Sequence, residues 1–107
     1  MSTTFETDSK GRKYIYKAPN AELSYTVNLN DPLDPWLAVG ETILTCAFTC
    51  PDASLTIMQQ TNDTTTGTVK LGACTEGTDY VVTMTWTTAT NKDSRFFIVK
   101  CRQRSAG

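Results

Sequence analysis

Residues 77–88, Gly-Thr-Asp-Tyr-Val-Val-Thr-Met-Thr-Trp-Thr-Thr, constrain this chain more than any other stretch. Tyr80, Val82, Met84 and Trp86 alternate with Val81, Thr83, Thr85 and Thr87. Side chains on a strand repeat every two residues, so each set occupies one face. The first set is large and apolar and is expected to face a core. The second is β-branched and mildly polar, which suits a face that is half wet or touches a partner. Gly77, three residues ahead of Tyr80, is compatible with a tyrosine corner, in which the phenol bonds back across the preceding turn. One residue pair does not decide it.

The other segments read as strands around this one. Residues 13–17 form a short strand with Tyr14 and Tyr16 on one face, broken by Ala18-Pro19-Asn20. Leu23, Tyr25, Val27 and Leu29 alternate cleanly and are expected to point inward. Pro32 and Pro35 interrupt the sheet, and an irregular turn or short 3₁₀ piece is expected to drop Trp36 onto the core as a plug. A strand over 41–50 holds Ile43 and Phe48 at opposite parity, which a β-bulge would repair. Short strands over 54–59 and 68–71 flank a polar turn at 61–67. A hairpin turn at 90–93 leads into a last strand over 95–102, with Phe97, Val99 and Cys101 inward and Phe96, Ile98 and Lys100 outward. Asp63 and Asp79 read as turn residues.

Seven short strands without a ten-residue helix give an all-β fold: a single antiparallel β-sandwich, immunoglobulin-like or fibronectin III-like. The expected boundaries are a flexible arm over 1–12, the sandwich over 13–104 and a tail over 105–107. At 107 residues one ordinary core suffices. The N-terminus has no apolar signal segment, and no apolar run approaches the ~20 residues of a membrane span. Ten basic and eleven acidic residues, net −1, point to neither nucleic acid nor a membrane surface as partner.

The chain lacks histidine, so the commonest general base and most catalytic triads are missing. No Gly-rich loop opens a helix to cradle phosphate. Asp31 and Asp34 read as turn formers rather than calcium ligands, with Glu41 too far along the chain to complete a site. No enzyme, cofactor or metal site is expected. Cys46, Cys50, Cys74 and Cys101 read as free thiols, Cys50 and Cys101 as small buried hydrophobes. Disulfides are the less favoured alternative and metal the least. Arg95, Arg102 and Arg104 make the last strand basic. The favoured reading is a charged edge that blocks strand addition. The sharper one is a partner-docking patch of Arg95, Phe96, Ile98, Lys100, Arg102 and Arg104.

Lys17-x-Pro19, Leu23-x-Tyr25-Thr26-Val27, Trp36-Leu37-x-x-Gly40-Glu41-Thr42-Ile43, Leu71-Gly72, Gly77-x-x-Tyr80-x-Val82-Thr83, Thr87-Thr88 and Arg95-x-Phe97-x-Val99-x-Cys101-Arg102-Gln103-Arg104 occur in that order. Together they resemble the small immunoglobulin-like fibre-to-tail adaptor proteins of tailed bacteriophages, over about residues 17–104. Phe48 and Cys101 stand where that family usually has tryptophan and valine, swaps that keep the positions apolar. The resemblance implies a non-enzymatic virion structural protein, made in the host cytoplasm, that links a fibre to the tail or neck. Its implied partners are other virion proteins, with several copies of the chain on a symmetric particle. A carbohydrate-binding or adhesion sandwich is the alternative; it requires Trp36, or Tyr14 and Tyr16, as an exposed flat platform.

Overall fold

A computed structural model describes residues 5–7, 9–30, 36–37 and 40–103. They contain eight strands: β1 (Glu6–Thr7), β2 (Lys13–Lys17), β3 (Leu23–Asn28), β4 (Thr45–Thr49), β5 (Ile57–Asn62), β6 (Thr66–Leu71), β7 (Asp79–Thr87) and β8 (Lys92–Cys101). Five form one sheet in the order β1-β2-β8-β7-β4, and three form a second, β3-β6-β5. Asp31, Asp34, Arg104 and the tail fall outside the described residues.

The hairpin β7–β8 is the spine of the larger sheet, paired without interruption from Asp79↔Lys100 to Thr87↔Lys92. Parity works as the sequence predicts: Tyr80, Val82, Met84 and Trp86 are buried and join Phe97 and Val99 in the core. Tyr25, Val27, Leu29, Val69 and Leu71 from the smaller sheet complete it. The two sheets approach closely at Gly67 on β6. A methyl group there would sit 2.8 Å from Cys46 Sγ and against the end of Met84.

The tyrosine corner is present. Thr75 N–H donates to the Tyr80 hydroxyl at 2.8 Å, and Ser54 Oγ lies 2.6 Å from the same oxygen. Asp52 Oδ1 accepts from both the amide and the hydroxyl of Ser54, so the network ties the loop after β4 to the corner. Asp63 is the turn residue it was read as, its Oδ1 accepting from the amides of Thr65 and Thr66. That cap narrows the expected 61–67 turn, and strand pairing runs to Asn62↔Gly67.

Several expectations are corrected. The pairing is mixed, because β2 runs parallel to β8 from Tyr14↔Ile98 to Lys17↔Cys101. No bulge reconciles Ile43 with Phe48; β4 pairs regularly with β7 from Thr45 to Thr49. The chain instead changes sheets just before β4. Ile43 N–H bonds to Thr64 of the β5–β6 turn, and Leu44 N–H bonds to Thr87 on β7. A bulge does occur, at Met58 on β5. The strand expected over 54–59 starts only at Ile57, since Ser54 is held in the Asp52 turn. Leu23 is exposed rather than buried, because it begins an edge strand at the end of the sandwich. Trp36 is not a core plug. Trp86 already fills that end, so Trp36 meets it edge-on at 6.1 Å and stays exposed, while Leu37 is the buried residue.

Cysteine pairing is the largest correction. Cys74 and Cys101 form a disulfide, while Cys46 and Cys50 are free and half-buried. The turn before β7 folds back along the end of β8, with Gly77 N–H on Cys101 O and Cys101 N–H on Thr78 O. That return brings together two residues 27 apart in sequence.

Candidate docking face

The outer face of the larger sheet is built by the side chains that β7 and its neighbours turn away from the core. Register places Thr45, Ala47 and Thr49 of β4 beside Thr87, Thr85 and Thr83 of β7. Thr85, Thr83 and Val81 lie beside Ser94, Phe96 and Ile98 of β8, and Ile98 lies beside Tyr14 of β2. This surface carries no charge across three strands. Lys92 bounds it at one end, and Asp79, Lys100 and Arg102 at the other. Phe96 is 47 % exposed, Val81 44 % and Tyr16 36 %. Large apolar groups left in water on an uncharged face are the composition of an interface core.

The six residues singled out from the sequence divide by parity and by cover. Phe96, Ile98, Lys100 and Arg102 share the outer face. Arg95 does not: it pairs with Met84 on the inner side, and its guanidinium lies 4.6 Å from the Trp36 ring centre. Arg102 donates to Asp79 Oδ1 at 2.8 Å, so Asp79 is an ion-pair partner at the start of β7 rather than a turn residue. Ile98 points outward as expected but is only 3 % exposed, flanked by Tyr14 and Val81. Lys100 lies over the Tyr14 ring at 4.5 Å. A charged edge is not what these residues form. β8 lies inside the sheet between β2 and β7, and so has no free edge to guard.

Parity places Val81 on the outward face of its strand and Tyr16 beside Tyr14 on one face, but the six-residue patch leaves both out, because direction does not give the depth of cover. Parity also missed Glu41, whose Oε2 accepts from Thr88 Oγ1, Thr90 Oγ1 and Asn91 Nδ2. That carboxylate pins the segment before β4 to the β7–β8 turn and is thereby committed to structure. Among the described residues no three of His, Cys, Asp and Glu gather as metal ligands. Among the same described residues no helix is long and apolar enough to cross a membrane.

The aromatic groups do not make a flat platform. Tyr14 and Tyr16 stand at 87° to each other, and Arg95 covers a face of Trp36. An open groove of about 320 Å³ beside Trp36 is lined by Arg12, Lys13, Arg95 and Phe96 among others. Its cations and aromatic groups suit protein contacts as readily as they suit a small ligand.

Comparison with known proteins agrees with the ordered motifs. No curated protein matches the chain. The family model described as Gp77, podophage GP4 fiber-tail adaptor protein gp77, matches residues 17–100, nearly the whole sandwich. The chain therefore belongs to the podophage GP4 fiber-tail adaptor family.

Proposed function

We propose that this protein is a non-enzymatic adaptor that joins fibre to tail or neck by protein–protein contacts, and that the outer face of the larger sheet is one of its docking surfaces. Family membership supports the adaptor role in the virion. The exposure of Phe96 and Val81 on a face uncharged across three strands is the observation that carries the choice of surface. Phe96 is its apolar centre, Ile98 backs it, and Lys100 and Arg102 stand at its rim, while Arg104 lies outside the described residues. The sandwich itself is read as immunoglobulin-like on its tyrosine corner and on the division of strands between its sheets.

Size limits what this face does alone. Four strands at ~4.8 Å spacing and about nine residues at ~3.3 Å rise offer at most roughly 600 Å². A standard interface uses about 800 Å² per partner. Neighbouring loops or a second copy of the chain must therefore add area, as expected if several copies ring a symmetric particle.

Phe96→Asp tests the surface. It places a charge at the centre of the face without touching the core. The purified variant is expected to unfold at the wild-type denaturant midpoint yet fail to enter particles in a complementation assay scored by electron microscopy. Normal incorporation with normal fibres would remove this face from the docking surface.

A further inference from the structure

A buried cation lies beside the disulfide. Lys17, the last residue of β2, pairs in register with Cys101 and is 1 % exposed. Its Nζ donates to Ala18 O at 3.0 Å and lies 3.8 Å from Cys74 Sγ. The described residues give Nζ no other hydrogen bond. An ammonium has three donors, and burying it without a close anion is unfavourable. Glu22 is the acidic group whose charge reaches Lys17, and the Tyr80 phenol is the other titratable neighbour. Burial outweighs both and holds the Lys17 ammonium below its ordinary pKa.

A disulfide sulfur is a weak acceptor, whereas a thiolate in the same place would be an anion against the cation. A site of this kind favours the open form of the bond, because a cation beside a thiol stabilises its thiolate. We infer that Cys74–Cys101 is a reversible redox pair, with Cys74 the reactive sulfur and Lys17 the cation that holds it as thiolate whenever the bond is open. Cys101 is fully buried, whereas Cys74 is partly exposed, so an incoming reagent meets Cys74 first.

The oxidant is a small-molecule disulfide of the glutathione class. Cys74 thiolate attacks one of its sulfurs, forms a mixed disulfide and expels one small thiolate. Cys101 loses its proton to solvent and attacks Cys74 Sγ, expelling the second. The protein pair gives up two electrons and the Cys101 proton, and the small disulfide is reduced to two thiolates, which take protons from solvent according to pH. Opening the bond leaves the Gly77–Cys101 and Cys101–Thr78 backbone bonds in place, so the sheet keeps its register. If the adaptor reading holds, the pair is open in a reducing host cell and closes after release; that timing rests on the reading, but the chemistry does not.

The test uses the full chain in graded glutathione buffers without denaturant, followed by acid quench, differential alkylation and mass spectrometry at all four cysteines. Cys74 and Cys101 are expected to open together and close again, with the far-ultraviolet circular dichroism unchanged. In the reduced protein the rate of Cys74 alkylation should rise with pH to a midpoint below the ordinary ~8.5. Lys17→Met should slow alkylation at pH 7 by about three- to tenfold, the range left after reduced nucleophilicity is set against thiolate fraction. Cys46 is an internal slow control, since burial pushes its thiol up to about 11. Opening that occurs only with unfolding, or cysteines that stay unpaired in the oxidising buffers, would overturn the inference. So would a Cys74 midpoint at or above ~8.5. The wild-type midpoint decides alone if Lys17→Met does not fold, and neither result depends on whether Phe96→Asp enters particles.

Discussion

Tyr25 and Tyr80 are both buried in the same core, yet removal of their hydroxyls should act in opposite directions. The Tyr80 oxygen accepts from Thr75 N–H at 2.8 Å and lies 2.6 Å from Ser54 Oγ. A net hydrogen bond is worth about 0.5–1.5 kcal/mol, and water can reach the exposed Thr75 and Ser54 once the phenol is gone. Tyr80→Phe should therefore cost about 1–2 kcal/mol. The Tyr25 hydroxyl is buried and finds no partner among the described residues. An unsatisfied buried polar group carries a desolvation penalty of about 1–3 kcal/mol. Tyr25→Phe removes the group together with its penalty and should stabilise the fold by about 1 kcal/mol.

Urea unfolding followed by tryptophan fluorescence separates the variants. With an m-value of about 1–3 kcal/mol/M, the two midpoints should differ by about 1 M or more. An alkaline arm checks the same environment independently. Burial pushes the Tyr25 phenol above its ordinary pKa, up to about 12. An acid with a raised folded pKa is protonated longer in the folded state. Its contribution is intact below the unfolded value and is lost as pH climbs through the folded one. Wild type should lose up to about 2–3 kcal/mol more than Tyr25→Phe between pH 10 and 12. A destabilised Tyr25→Phe, or equal alkaline losses in both proteins, would refute the reasoning.

Gly67→Ala places a methyl against Cys46 and Met84 and should destabilise by about 1–3 kcal/mol, with Cys46→Ala in the same chain restoring part of the loss in urea titrations. The Asp63 carboxyl is held below its ordinary pKa by the amides of Thr65 and Thr66, the former bond contributing most. Its stabilising effect is therefore present above the unfolded value of about 3.9 and is lost as pH falls through the folded one. Asp63→Asn should keep the turn and weaken the acid dependence, measured as the difference in urea midpoint between pH 7 and pH 3; an unchanged difference would dismiss the role.

Much of the fold was legible because β7 is long and strictly alternating. One strand with Tyr80, Val82, Met84 and Trp86 on a single side fixes a core, and the neighbouring short strands have little choice but to cover it. What the sequence hid depends on contacts between distant segments. Ile43 looked out of phase because parity presumes one continuous strand, whereas the backbone there changes sheets. The parallel pairing of β2 with β8 leaves no periodic trace, since alternation is the same in either direction. Compartment and spacing point Cys74 and Cys101 to free thiols, yet the turn before β7 lying along the end of β8 joins them. A lone tryptophan beside a leucine reads as a core plug, but Trp86 already holds that space and Trp36 stays exposed.

The candidate docking face was half legible for a related reason. Alternation assigns Phe96, Ile98 and Lys100 to one side, but exposure depends on what the next strand lays over them. Tyr14 and Val81 flank Ile98, while Phe96, beside Thr83 on one side and lining the groove with Arg12 on the other, stays half open to water. On the proposed reading the same strands serve two separable roles. Stability resides in the inner set, where a single methyl at Gly67 is felt by Cys46 and Met84. The outer set contributes little to that core, so its apolar character has no structural reason to persist in water. Loss of stability in Gly67→Ala with docking retained, against loss of docking in Phe96→Asp with stability retained, is the pattern this division requires. A Phe96→Asp protein that unfolds more easily than Gly67→Ala would mean that the outer face is held to the core after all, and its exposed aromatic group would need a structural explanation instead.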